Sequence, residues 1–172
     1  MAGGLANITG IVPEGTNSHT FEPAPSDARV IAEADAIFLN GLHLEEPTME
    51  LVDANARAGI PVVSLGDRTL TPDEYIFDVS FPREAGDPNP HLWTAPLLAL
   101  RYAEIVEETL ASVDPANAAT YAANLAWAGE QAAKAGVRLC IEPINRRDMP
   151  GFHLNTMQQA ADVIASTSRI RS

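Results

Sequence analysis

Two short apolar runs with a helical segment between them place the strongest limit on the folds that this chain can adopt. Residues 36–40 and 60–65 are too short for buried helices, and their composition predicts buried strands. Residues 46–58 predict a helix that ends at Gly59, because glycine commonly follows the last helical residue. Strands that alternate with helices pair in parallel through crossover connections. The sequence therefore predicts an α/β fold with a parallel sheet flanked by helices.

The remaining elements follow from similar patterns of apolar residues. Two further strands of the same sheet are predicted at residues 8–12 and 137–141. Helices are predicted over residues 27–34, 96–113, 116–134 and 155–166. Residues 71–90 are rich in Pro, Asp and Gly and predict a long irregular segment. A segment of that length in a compact domain is more often functional than accidental.

Composition and charge exclude several classes of function. The 172-residue chain is 46% hydrophobic and has a net charge of −12, so its acidic surface would repel nucleic-acid phosphates and attract cations. No apolar run approaches the ~18 residues that a membrane-spanning helix needs, which argues against direct membrane insertion. Cys140 is the only cysteine, which excludes an internal disulfide and a cysteine-rich zinc site.

Two of the four histidines lie in segments that suit metal ligands. His19 occurs in NSHTFEPAPSD and His91 in DPNPHLW, and prolines stiffen both segments. Both are expected at the end of the sheet where open α/β folds bind their ligands, so the two imidazoles can hold one Zn²⁺ or Mn²⁺ ion. Spacing alone nevertheless favours two ordinary hydrogen-bonded surface histidines. His43 is predicted to lie at the surface or at the rim, and His153 is given no role.

Two stretches of the chain carry a more specific pattern. Residues 10–46 contain P-x-G-x-x-x-H-x-[FY]-x-P-x-x-x-D followed by A-D-x-x-x-x-N-G. Residues 87–121 contain a block of the form D-P-H-x-W, in which Asn89 and Pro90 are inserted. Together these patterns resemble the zinc/manganese solute-binding proteins of bacterial ABC importers over about residues 8–125. The resemblance implies one lobe of a two-lobed protein, whose first two metal ligands are His19 and His91.

The same resemblance implies an affinity, a partner and a location. In the family the other lobe supplies the third and fourth ligands, so this lobe alone is expected to bind Zn²⁺ or Mn²⁺ weakly. Tighter binding would point to further ligands, with Asp87, Glu45 and His43 as candidates. The family partner is the membrane permease of an ABC importer, and the family location is the periplasm or cell surface. Residues 1–9 lack the features of a signal peptide, so a chain expressed as written is expected in the cytoplasm.

The last part of the chain resembles a different family. Residues 128–165, and most specifically IEPINRRDMPGF at 141–152, resemble hydroxypyruvate isomerase and related xylose-isomerase-like TIM barrels. That resemblance implies that Glu142 binds a divalent metal and transfers a proton. About one and a half βα units cannot close an eight-stranded barrel, so we expect no enzymatic activity.

The distribution of charge supports a boundary between the two resemblances. The net charge is −14 over residues 1–128 and +2 over residues 129–172. We therefore expect a metal-binding lobe over residues 1–125 and a TIM-barrel-like βα fragment, not an independent domain, over residues 126–172. Three hypotheses remain open: a metal-binding lobe, an isomerase remnant, and a chimeric fragment without function. The separation of the two imidazoles distinguishes them, because a shared ion requires ring nitrogens within ~3–4 Å.

Overall fold

The computed structural model describes residues 2–134 and residue 158, and of residues 131–134 it describes the backbone alone. Within that part of the chain, no helix combines the length and the apolar character needed to cross a membrane. Several features singled out above lie outside the described residues: the strand at 137–141, most of the helix at 155–166, Cys140, Glu142 and His153.

A parallel pair of short strands forms the centre of the fold. Strands β1 (Ile37–Leu39) and β2 (Val62–Ser64) are joined by the crossover helix α2 (Glu46–Asn55). Their register places Phe38 opposite Val63. Because these strands lie within the two apolar runs, the predicted α/β fold with a parallel sheet flanked by helices is confirmed.

Helices and turns complete the described fold. The remaining helices are α1 (Asp27–Glu33), α3 (Leu65–Thr69), α4 (Pro96–Val113) and α5 (Ala118–Lys134). Helix α4 has the predicted bounds, and α5 follows a 3-10 turn at Pro115–Asn117. The two long helices pack against each other, and Ile105 of α4 and Tyr121 of α5 are almost fully buried.

The segment between α3 and α4 is irregular, as predicted. Its only regular features in the described structure are the 3-10 turns Pro72–Glu74, Arg83–Ala85 and Leu92–Thr94. The segment folds back on itself, because the backbone N–H of Asn89 donates to the carbonyl oxygen of Ile76 over 2.7 Å. This closure brings Asp78 into contact with Asn89 and Phe81 into contact with His91, two residues further along the chain.

The predicted strand at residues 8–12 is wrong. Residues 7–10 have no regular structure and residues 11–12 lie in a bend. Ile8 is 83% exposed, whereas Ile11 packs against the core. A strand is stable only when its backbone groups pair with a neighbour, and in the described structure only β1 and β2 pair. The apolar residues at 8–12 did not reveal that residues 2–134 offer this segment no strand to pair with.

Helix α2 ends three residues earlier than predicted. Asn55 is its last residue, and Ala56 has an extended backbone with φ −63° and ψ 138°. The guanidinium group of Arg57 donates to the carbonyl oxygen of Ala34 over 2.7 Å, which holds the chain close to the end of α1. Gly59 has a φ of 87°, but it lies in the turn that follows and not directly after the helix.

Two apolar clusters hold these elements together. The first joins Ile31, Leu39 and Val52 from α1, β1 and α2. The second joins Leu42, Leu92 and Tyr102, which come from the loop after β1, the turn after His91 and helix α4. Burying a leucine side chain stabilises a fold by roughly 1.5–3 kcal/mol. The second cluster therefore anchors the chain immediately next to His91.

Candidate metal centre

The loop after β1 has an unusual backbone. Gly41, Leu42 and His43 have consecutive positive φ angles of 77°, 53° and 61°. Gly41 is required there, because a Cβ atom would overlap Oδ2 of Asp67. Leu42 adopts the same region at a cost, which the burial of its side chain against Leu92 offsets. This conformation turns the chain sharply and presents His43 at the surface.

Asn40 connects this loop to the segment that carries His91. Its Nδ2 donates to the carbonyl oxygen of Pro90 over 3.1 Å, and its Oδ1 accepts from the hydroxyl of Tyr102 over 3.0 Å. Its backbone N–H donates to the Glu45 carboxylate. The residue before His91 is thus fixed to the carboxyl end of β1, where a parallel sheet is expected to bind its ligand.

A chain of hydrogen bonds orients the imidazole of His91. Oδ1 of Asn89 accepts from both the backbone N–H of His91, over 2.9 Å, and its ring nitrogen Nδ1, over 2.8 Å. Nδ2 of Asn89 donates to Oδ2 of Asp78 over 2.6 Å. A carboxylate only accepts hydrogen bonds, so this contact decides which end of the Asn89 amide is the nitrogen.

The same chain assigns the proton of His91. Because the amide oxygen of Asn89 can only accept, Nδ1 of the imidazole carries the hydrogen. In the neutral ring, Nε2 then carries a lone pair, which can accept from the Nε2–H of His19 over 3.2 Å or bind a cation instead. Metal-binding histidines are typically held in this way, with the second nitrogen donating to an oxygen.

His19 reaches the same place from an exposed loop. Its backbone N–H donates to Oδ1 of Asn17 over 3.0 Å. Its imidazole stacks on Phe81, with ring centroids 6.0 Å apart and an angle of 27° between planes. Phe81 also packs against His91 at 5.6 Å, so one aromatic ring forms a wall for both imidazoles.

The two imidazoles meet through their Nε2 atoms, which are 3.2 Å apart. Two nitrogens bound to one zinc at ~2.0–2.1 Å in tetrahedral geometry are separated by ~3.3–3.4 Å. The two histidines therefore stand at the separation that one shared ion requires. Two loops distant in sequence thus converge at these imidazoles, and without an ion the same 3.2 Å contact is a hydrogen bond between the two rings.

A cavity of about 240 Å³ opens beside this pair. Its lining includes His19, Phe81, His43 and Asp87. His43 is exposed and its Nδ1 lies 2.7 Å from Oε1 of Glu46, which agrees with the predicted place at the rim. The cavity is thus lined by His19 of the pair together with the acidic Asp87 and the rim residue His43.

The surroundings shift the pKa values of several groups. Desolvation and the neighbouring His19 lower the pKa of His91, against a smaller opposite effect of Asp78, so its neutral form is favoured. The hydrogen bond to Glu46 raises the pKa of His43. Burial raises the pKa of Glu45, and burial together with the charge of Glu45 raises that of Tyr102 to about 12.

The other candidate ligands are placed differently. Asp87 and His43 line the cavity, whereas Glu45 accepts the backbone N–H of Asn40. Among the described residues, no group of three or more histidine, cysteine or acidic side chains is arranged to hold a metal. The convergence is therefore a pair of imidazoles.

Sequence reasoning missed Asp78 and Asn89. The sequence pattern treats Asn89 and Pro90 as an insertion, but Asn89 supports His91 directly. An asparagine two residues before a candidate ligand is a usable signal, because its side chain can accept from the ring and the backbone of that histidine. Asp78 left no such signal, since it lies eleven residues away from Asn89 in an irregular segment.

Comparison with known proteins places this site in a family. Residues 1–137 match the family model of the zinc-uptake complex component A, periplasmic, or ZnuA. This chain belongs to the ZnuA family. The predicted resemblance of the first part of the chain is thereby confirmed, whereas the resemblance of residues 128–165 to TIM-barrel isomerases stays a prediction. So does the domain boundary at 125/126, which falls within the continuous helix α5.

Individual members of the ZnuA family are similar over the same part of the chain. The manganese-binding lipoprotein MntA of Halalkalibacterium halodurans is 34% identical over 125 residues, which are 72% of this chain and 38% of that protein. The iron-binding protein YfeA of Yersinia pestis is 32% identical over 124 residues, again 72% of this chain and 38% of the relative. The chain thus spans about two fifths of the length of these curated relatives.

Solved structures of the family have a similar fold. A manganese-bound periplasmic metal-binding protein of Candidatus Liberibacter asiaticus is 31% identical with a TM-score of 0.65, covering 76% of this chain and 46% of that one. A crystal structure of ZnuA is 30% identical with a TM-score of 0.61, covering 73% and 45%. Both similarities fit a single lobe of a longer α/β protein.

Proposed function

We propose that this chain binds Zn²⁺ or Mn²⁺ as the metal-binding lobe of a solute-binding protein of an ABC importer, with His19 and His91 as ligands. The observation that carries the proposal is the 3.2 Å separation of the two Nε2 atoms. The Nδ1 hydrogen bond of His91 to Asn89 supports it, because the lone pair of Nε2 is then available to a cation.

The family supports the proposed cargo. Relatives are named as binding manganese or iron, and solved family members carry manganese or cadmium. Imidazole nitrogen and the usual order of affinities favour Zn²⁺ over Mn²⁺ when two histidines act alone. We therefore expect zinc to bind this chain more tightly than manganese does.

The affinity expected of two imidazoles is low. Complete four-ligand zinc sites contribute ~10–16 kcal/mol, so half of the ligands with water in the other positions would give ~5–8 kcal/mol. This corresponds to dissociation constants between ~1 μM and ~0.2 mM. A nanomolar affinity would instead indicate additional ligands, and Asp87 and His43 are the nearest candidates because they line the same cavity.

The experiment is calorimetric titration of the 172-residue chain with Zn²⁺ and with Mn²⁺. The variants His19→Ala and His91→Ala should each abolish the zinc heat while leaving the fold intact. Glu50→Ala is the control, because it removes an exposed side chain of α2 that does not line the cavity. His43→Ala tests separately whether the rim imidazole is a further ligand. Unchanged binding in either of the first two variants would contradict the proposal.

A membrane permease of an ABC importer is the proposed partner, and the periplasm or cell surface is the proposed location. Both come from the family, whose model describes a periplasmic component and whose relatives include surface lipoproteins. Binding of this chain to a permease in detergent, measured with and without zinc, tests the partner.

We further propose that the chain has no enzymatic activity, since its family serves metal uptake. The one catalytic candidate of the sequence is Glu142, and a single carboxylate with a pKa near ~4.3 is a poor base at neutral pH. Glu142→Ala and the parent should both give background rates in hydroxypyruvate and sugar isomerisation assays. Turnover that disappears in the variant would refute this.

A further inference from the structure

Asp78 lies at a branch point beneath the two imidazoles. Its Oδ2 accepts from the Nδ2 of Asn89 over 2.6 Å, and its Oδ1 accepts from the backbone N–H groups of Ser80 and Phe81 over 2.8 and 3.1 Å. The turn is closed by the backbone N–H of Asp78, which donates to the carbonyl oxygen of Phe81 over 2.9 Å. One carboxylate therefore holds two separate groups in place.

The first of these groups controls the chemistry of His91. Two contacts orient the Asn89 amide so that its oxygen faces Nδ1: its nitrogen donates to Asp78, and its oxygen also accepts from the backbone N–H of His91. If the amide of Asn89 turned round, its NH₂ group would face Nδ1. The imidazole would then keep its proton on Nε2, the atom that faces His19.

The second group controls the position of His19. Phe81 packs on the imidazoles of both histidines, at 6.0 Å from His19 and 5.6 Å from His91. Its backbone is held by the turn that Asp78 closes. The imidazole of the exposed His19 is held at the site by its Nε2 contact with His91 and by its stacking on Phe81.

We propose that Asp78 is the positioning residue of this site: through Asn89 and Phe81 it aims the Nε2 lone pairs of both histidines at one shared cation. The metal-binding part of this inference rests on the proposed function. The part that concerns the tautomer of His91 does not rest on the proposed function, because the tautomer is a property of the chain without metal. An experiment can therefore contradict the metal-binding part and leave the tautomer part standing, or the reverse.

The central variant is Asp78→Asn, which keeps the volume and removes one acceptor. When the oxygen of the new amide stays on the N–H groups of Ser80 and Phe81, its NH₂ group faces the NH₂ of Asn89. Turning the Asn89 amide removes that conflict but costs the hydrogen bond from the backbone N–H of His91, so the support of His91 is weakened in either arrangement. We expect the hydrogen of neutral His91 to move from Nδ1 to Nε2, which long-range ¹H–¹⁵N correlation spectra report directly. We also expect zinc affinity to fall about 10- to 100-fold, the usual effect of losing a partner of a metal-binding histidine.

The double variant Asp78→Asn with Asn89→Asp provides a rescue. The amide at position 78 now donates to the carboxylate at position 89, whose other oxygen accepts from Nδ1 of His91. The original pattern of donors and acceptors is restored with the two residue types exchanged. We expect the Nδ1 proton and at least the parent zinc affinity to return. This variant also decides the matter if Asp78→Asn alone does not fold, as judged by circular dichroism.

Asp73→Asn is the matched control, because Asp73 is an exposed carboxylate of the same irregular segment and lies outside these hydrogen bonds. It should change neither the tautomer nor the affinity. Two outcomes would overturn the inference: a folded Asp78→Asn chain that keeps the Nδ1 proton, or a double variant that fails to restore it. A parent that has the Nδ1 proton but binds no zinc would overturn the proposed function while supporting the role of Asp78.

Discussion

His91 and His19 present the same atom to the same point, but the chain supports them very differently. His91 is half-buried, its Nδ1 is hydrogen-bonded to Asn89, and the residue before it is tied to β1 through Asn40. His19 is exposed, and its backbone N–H donates to the side-chain oxygen Oδ1 of Asn17. One of the two proposed ligands is therefore held by the fold around it, whereas the other lies on an exposed loop.

This difference has a consequence for binding. A ligand that is already oriented loses little conformational entropy when a cation arrives, and it defines where the cation must lie. A ligand on an exposed loop can adjust its position to that cation. We infer that His91 sets the position of the ion and that His19 completes the pair. The following variants test this comparison from its largest expected effect to its smallest.

The largest expected effect is a difference in the free energy of unfolding between variants of Asn40, which supports the His91 segment, and of Asn17, which supports the His19 loop. Asn40→Ala leaves the hydroxyl of buried Tyr102 and the carbonyl oxygen of Pro90 without their partner. Each unsatisfied buried group costs about 1–3 kcal/mol, so we expect the free energy of unfolding to fall by about 2–4 kcal/mol. Asn17→Ala removes an exposed contact and should change it by less than ~0.5 kcal/mol.

Urea denaturation followed by circular dichroism measures both values in the same chain. Tyr102→Phe serves as a control for the network, because it removes one of the hydrogen bonds of Asn40 and keeps the one to Pro90. Its effect should fall between those of the two alanine variants. Equal destabilisation by Asn40→Ala and Asn17→Ala would show that the two loops are supported alike.

A smaller effect, on zinc affinity, is expected from replacing Phe81, the aromatic ring that packs on both imidazoles. Phe81 packs against both imidazoles, whereas Trp93 packs against His91 alone and is 43% exposed. Ring contacts of this kind contribute about 0.5–1.5 kcal/mol beyond simple burial. We expect Phe81→Leu to weaken zinc binding about 3- to 10-fold, because His19 loses its support.

Trp93→Leu is the matched control for that prediction. Because Asn89 continues to hold the ring of His91, we expect its zinc affinity to change less than that of Phe81→Leu. Calorimetric titration of the two variants under identical conditions gives the comparison. If Trp93→Leu had the larger effect, the support of His91 and not that of His19 would be the weaker part of the site.

The sequence predicted the parts of this molecule that depend on local pattern. The apolar runs at 36–40 and 60–65 identified both described strands, and the periodic run from Pro96 identified α4 with its bounds. The motifs around His19 and His91 identified the pair, and the structure brought their ring nitrogens together. In each case the information lies within a few residues of the feature it predicts.

What the sequence did not predict depends on partners far away in the chain. A strand at residues 8–12 required a neighbouring strand, and the early end of α2 depends on Arg57 reaching the carbonyl oxygen of Ala34. Asp78 could not be predicted from the sequence for the same reason. Its contact with Asn89 forms only when the irregular segment folds back on itself. Hydrogen bonds between irregular segments have no periodicity that a sequence pattern could reveal.

The smallest expected effect concerns the pKa of His43, the histidine at the rim of the cavity. The hydrogen bond from His43 to Glu46 raises the pKa of that imidazole, and the charges of Asp87, Glu46 and Asp67 act in the same direction. The folded-state pKa of His43 lies above the unfolded value. The His43–Glu46 pair therefore stabilises the fold below about pH 6.5, and this contribution disappears as pH rises through the folded pKa. Because both side chains are more than half exposed, solvent screens the pair and it contributes no more than a few tenths of a kcal/mol to stability.

Glu46→Gln should therefore lower the pKa of His43 towards 6.5 in an NMR titration while leaving the urea midpoint almost unchanged. Glu50→Gln, on the same helix, is the control and should leave the pKa of His43 unchanged. If Glu46→Gln left the His43 pKa unchanged, the rim imidazole would be governed by groups other than Glu46.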